Sequence, residues 1–157
     1  MPNTTSAPSG ALRAILYGGL IAGTIDIGAA SIITGLSPIR IMKIVAGGLL
    51  GRSAFDGDAS IAVVGMLLQW GMSIVIAAIF VVAALRLPGL LRRWIASGLA
   101  YGVATYFVMN YVVVPLSAWA RWPRFTLASF GWNMLAMLVF GVIIAFFAQR
   151  RLAAASR

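Results

Sequence analysis

Four stretches of this chain are apolar over the length of a membrane-crossing helix, and nothing else constrains its fold as strongly. They cover residues 11–35, 59–87, 94–114 and 126–148. A bilayer-spanning helix needs roughly 20 mostly apolar residues, and each stretch provides them. A soluble domain carries about 25% charged residues; this chain has 10%, with 62% hydrophobic and a mean hydropathy of +1.00. The expected fold is all-α: a polytopic membrane protein with a four-transmembrane-helix bundle. One transmembrane domain is expected over residues 11–151. A disordered polar tail is expected over residues 1–10 and a cytoplasmic tail over 152–157.

The first span has a basic residue, Arg13, ahead of an apolar run and small residues at Gly28-Ala29-Ala30, as a secretory signal would. The run is too long for a signal, and Asp26 interrupts it, so an uncleaved helix is expected. The connection 36–58 holds a further helix. Ser37 suits the N-cap and Pro38 the first helical position. Residues 38–50 would extend about 20 Å at ~1.5 Å per residue, too short to cross. They read as an interfacial or re-entrant helix, with Arg40 and Lys43 one turn apart. Pro88-Gly89 ends the second span and Pro115 the third. Trp119, Arg121, Trp122 and Arg124 then alternate in a way that suits a headgroup layer. Gly19-Leu20 followed by Gly23 is echoed by Gly98-Leu99 followed by Gly102. The second and fourth spans do not align, and glycine pairs at this spacing are common in membrane helices, so the repeat is weak.

The net charge of +9 has no basic face to track a phosphate backbone, so no nucleic acid is expected as a partner. Charges at the ends of apolar runs suit anionic lipid headgroups instead. With four spans, Arg13, Arg86, Arg92, Arg93, Arg150, Arg151 and Arg157 share one side, and Arg40, Lys43, Arg52, Arg121 and Arg124 the other. Seven basic residues against five, with the short arginine-rich loop 86–93, place both termini in the cytoplasm.

The chain has no cysteine and no histidine, which excludes disulfides, thiolate catalysis, Cys/His zinc sites and histidine acid–base chemistry. No cofactor is expected, nor an enzyme: no base partner or metal constellation is present. Asp56-Gly57-Asp58 lacks the longer acidic series of a calcium loop and reads as a turn. Gly47, Gly48 and Gly51 lack the lysine and hydroxyl residue of a phosphate loop. The scattered methionines read as packing.

Asp26 is the one acid inside a span, and it shares a stripe with Gly19, Gly23 and Ala30. Similar seams, each a strip of small residues holding a polar group, occur on the other spans. They are Gly65-Gln69-Ser73-Ala77, Gly98-Gly102-Tyr106-Asn110 and Asn133-Met137-Gly141-Ala145, each in steps of four. Small residues allow close helix approach, so these faces should meet. Measured from the outer ends of their spans, Asp26 lies about 12 Å deep, Gln69 about 15 Å, Asn133 about 10 Å and Asn110 about 7 Å. A cluster Asp26–Gln69–Asn110–Asn133 is therefore expected in the outer half, with Tyr106 nearby and Arg40 and Lys43 on the same side. Two readings stay open. The polar groups are interhelical hydrogen bonds that fix the bundle, or they form an outward-facing site that binds or transports a small solute or ion.

The stretches SPIRIMKIVAGGLLGRSAFDGD (37–58) and VMNYVVVPLSAW (108–119), with TIDIGAA and LLQWGMS, resemble a family of small uncharacterised bacterial four-span integral membrane proteins. The likeness runs from about residue 15 to residue 148. It implies a bacterial inner-membrane location and no particular activity. A structural or accessory subunit of a larger membrane complex is the alternative to a solute-binding protein. A unit this small would need a homodimer to complete a transport path.

Overall fold

The computed structural model describes residues 6–120, 122 and 126–155. All regular structure among them is helical. Helix α1 is Ser6–Thr34, α2 Pro38–Leu50, α3 Ser60–Arg86, α4 Gly89–Arg92, α5 Trp94–Val108, α6 Val114–Leu116 and α7 Leu127–Ala155. A 3-10 turn, Gly51–Phe55, follows α2, and a π-helical turn, Met109–Val113, joins α5 to α6. Helix α1 begins inside the stretch expected as a tail. Arg121, Arg124 and Arg157 lie outside the described residues.

Four segments are long and apolar enough to cross a membrane: Ser9–Thr34, Ser60–Arg86, Trp94–Leu116 and Leu127–Ala153. Large aliphatic side chains such as Ile32, Val75, Ile95 and Leu135 stand exposed on their outward faces. Such a surface suits lipid rather than water and supports a multi-pass membrane protein.

Local sequence explains the breaks. The Ser37 hydroxyl accepts the Arg40 backbone N–H at 3.4 Å, and Pro38 fills the first turn of α2. Gly51 closes α2 at φ +67°, a left-handed conformation that only glycine adopts without cost. Helix α3 ends at Arg86, ahead of Pro88. The third span does not stop before Pro115, as its sequence predicts, but runs through it to Leu116. Proline lacks an N–H and crowds the carbonyl four residues back, here that of Tyr111. The wider π-helical turn sits at that point and lets the helix continue. At the start of α7, Thr126 and Ser129 each accept the other's backbone N–H, at 3.2 and 3.1 Å.

The glycine seams are where the helices meet. Helix α7 lies against both α1 and α5, α1 against α3, and α2 crosses α3. A Cβ at Gly19 would come within 2.8 Å of the Ile74 Cα, and one at Gly23 would collide with Ser73. Gly98 and Gly102 face Gly141 and the backbone of Val142 and Leu138. Gly65 receives the Met42 backbone where α2 crosses. The backbones of α3 and α5, by contrast, stay apart. They are joined through Tyr101, whose hydroxyl donates to the Ile76 carbonyl at 2.7 Å and whose ring packs on Phe80.

The main apolar core lies toward the end of the bundle away from α2. Phe80, Val81, Phe140, Ile144 and Leu152 fill it with alanines between them. Arg150 and Arg151 cap that end, over the rings of Phe146 and Tyr17. A Gly102→Val variant should lose about 2 kcal/mol of stability, because its side chain would press on Leu138 Cα, 2.9 Å from the added Cβ. Thermal unfolding in mild detergent should show a fall of several degrees.

Candidate functional site

Two of the expected polar residues meet. Asp26, on α1, and Gln69, on α3, lie opposite each other where the Gly19–Gly23 seam packs on Ser73 and Ile74. The Gln69 side-chain N–H donates to Asp26 Oδ2 at 2.8 Å. Gln69 is buried, and Asp26 is partly buried. No cationic side chain faces Asp26 among the described residues.

The other expected members are placed elsewhere. Asn110 lies in the π-helical turn, and its side-chain N–H donates to the Tyr106 carbonyl of its own helix at 2.9 Å. Asn133 likewise donates to Ser129, one turn back on α7, at 2.7 Å. Both satisfy backbone carbonyls locally instead of joining the pair. Tyr106 is fully buried, its ring edge-on to Phe107 and Phe130. The Lys43 ammonium donates to the Gly57 carbonyl at 2.7 Å and so ties α2 to the turn before α3. Arg40 is exposed. The expected four-residue cluster is thus a two-residue pair, with the asparagines bound to their own helices.

Space surrounds the pair on three sides. A cavity of about 360 Å³ opens between α2, α3, the π-helical turn and the segment 114–119. Ile44, Leu68 and Val113 are among its apolar walls, and Gln69 and Ser117 are polar side chains that line it, Gln69 on the side of the bundle centre. Behind Gln69 a chamber of about 40 Å³ lies at the bundle centre, lined by Asp26, Gln69, Ser73, Thr105 and three methionines among others. Gln69, Met72 and Met109 line both spaces. On the far side of Asp26, a cleft of about 220 Å³ runs between α1 and α7, with Trp132 and Phe140 on its wall. Asp26 lines the cleft and the chamber alike.

Trp119 closes the large cavity. Its ring fills the notch left by Gly47 and donates to the Ile44 carbonyl at 3.1 Å. Beside it, the Ala118 N–H donates to the Gly48 carbonyl at 2.8 Å, and Phe55 packs on the ring. The chain leaves Trp119 through Ala120 at φ +45°, a left-handed conformation that a non-glycine residue adopts at a cost. The pattern around Trp119 suits a headgroup layer; the sequence signal for its place against α2 is the glycine pair Gly47-Gly48. Ser73 was legible as the next step of the Gln69 seam. Thr105 was not, because it lies one residue off the seam of α5.

Compared with family models, curated proteins and solved structures, the chain matches none.

Proposed function

We propose that this is a multi-pass protein of the bacterial inner membrane, both termini cytoplasmic, that binds a small, largely apolar solute from the outer side. The observation that carries the reading is the 360 Å³ cavity with Gln69 at its base, held by Asp26. Binding sites for small molecules are concave and mostly apolar, with a few placed polar groups, at about 300–1,000 Å³. In this reading α2 is an interfacial helix that roofs the cavity, and Gln69 offers the solute its polar contact. A transport path would need a second copy of the chain.

The test is thermal unfolding of the full chain in nanodiscs against a panel of small neutral alcohols, amides and ketones. A binding solute at a hundredfold excess over its Kd should raise the midpoint by about 5 °C or more. Val113→Phe, which fills the cavity, should remove that shift. A panel without any stabilising member, or a shift that survives Val113→Phe, counts against the reading.

A second reading is an accessory subunit, favoured by the apolar α1–α7 cleft, where a partner helix could lie. Recovery of the chain alone from mild detergent would count against it. Orientation is tested separately, since the chain has no native cysteine. Ser53→Cys, next to α2, should react with an impermeant thiol reagent in intact cells. Leu87→Cys should react only after permeabilisation. The opposite pattern would place the termini outside.

A further inference from the structure

We infer that the chamber at the bundle centre is a binding site for one small alkali cation, with Asp26, Gln69, Ser73 and Thr105 as its oxygen donors. These four side chains come from three helices and converge on a space of about 40 Å³. That is room for one water-sized occupant, and a dehydrated sodium ion is smaller still. Gln69 spends its amide N–H on Asp26 Oδ2. This leaves the amide oxygen and the second carboxylate oxygen as acceptors. Ser73 and Thr105 are 1% and 6% exposed. A hydroxyl keeps lone pairs for a cation wherever its proton points.

Charge selects the occupant. A carboxylate away from water without a countercharge is expensive, and Asp26 has no cationic side chain beside it among the described residues. One monovalent cation neutralises one carboxylate. A divalent ion would leave a buried positive charge, and calcium and magnesium sites use more oxygen ligands and more charge. No group of three or more acidic, His or Cys side chains exists among the described residues. Access is through the wall shared with the large cavity, formed by Gln69, Met72 and Met109. A cation would fix the orientation of Gln69 at the base of that cavity and so tighten solute binding. That coupling rests on the solute reading above; the cation site itself does not.

The test uses the purified full chain without solute, in sodium chloride or N-methyl-D-glucamine chloride at equal ionic strength. Sodium at a hundredfold excess over its Kd should raise the thermal midpoint by about 5 °C or more. Asp26→Asn keeps an acceptor for Gln69 and should fold normally while losing the sodium response. Ser73→Ala and Thr105→Val should each weaken the apparent sodium affinity about tenfold and leave the sodium-free midpoint nearly unchanged. No response to sodium, lithium or potassium in the wild type overturns the inference, as does a response that survives Asp26→Asn or a preference for calcium or magnesium. Solute stabilisation without any cation response would overturn the cation site and leave the solute reading standing. A cation response without solute stabilisation would do the reverse.

Discussion

Replacing Gln69 by leucine should destabilise the bundle by about 3 kcal/mol in sodium-free buffer, more than replacing Asp26 and Gln69 together by leucine. The single change leaves a carboxyl group inside the bundle without its hydrogen bond from Gln69. Leaving a buried hydrogen-bonding group unsatisfied costs about 1–3 kcal/mol, and an uncompensated buried charge about 3–5 kcal/mol, whereas exchanging both partners for apolar residues is often nearly neutral. Partial exposure of Asp26 to the α1–α7 cleft places the expected loss at the lower end of the range for a charge. The double variant should fall within about 1 kcal/mol of the wild type. Chemical or thermal unfolding in detergent gives both values. A single variant no less stable than the double variant would mean that the hydrogen bond has no role in holding α1 to α3. The same experiment separates fold from function. The double variant keeps the bundle but removes the polar base of the large cavity, so it should no longer respond to solute.

The second large effect is expected at Trp119. Truncating a fully buried tryptophan to alanine costs about 3–5 kcal/mol. Trp119 is half-buried, so Trp119→Ala should cost about 2 kcal/mol, while Trp119→Phe, which keeps most of the packing but loses the hydrogen bond to Ile44, should cost about 1 kcal/mol. The effect should be local. The Trp119 ring fills the Gly47 notch, whereas α1, α5 and α7 are held by glycine seams, and α2 is held on α3 at Gly65, all of which the substitution leaves intact. Hydrogen exchange should therefore accelerate over residues 44–51 in Trp119→Ala and stay unchanged in α7. Uniform acceleration along the chain would show that Trp119 supports the whole bundle and not α2 alone.

Much of the fold was legible because it depends on run length and on spacing. The four long helices follow from apolar stretches, α2 from Ser37-Pro38, and the packing faces from glycines and alanines in steps of four. Asp26 and Gln69 belong to the expected four-residue cluster because both stand on seams and at similar depth. Asn110 and Asn133 satisfied the same two criteria and still turned back on their own helices. A backbone carbonyl four residues earlier is as good a partner for an asparagine amide as a side chain on the next helix, and spacing does not distinguish them. Lys43 was lost for a similar reason: its flexible stem reaches a carbonyl in the following turn. Pro115 predicts a break in the third span, but a π-helical turn relieves the same clash without one. The position of Trp119 needed a contact between residues 47 and 119, which no local pattern carries.

The separation of α3 from α5 has a mechanical consequence. Where the other long helices meet they are stitched by glycines, but this pair is pinned at Tyr101 and held apart toward the end that carries α2. Two rods pinned at one level enclose a wedge beyond it. Any change of angle about the Tyr101 pin is passed on to α1 and α7, through the glycine seams that stitch α3 to α1 and α5 to α7. The volume beneath α2 is thus a wedge between α3 and the third span, bridged across its top by α2, Ala118 and Trp119 instead of being closed by direct contact of the two helices.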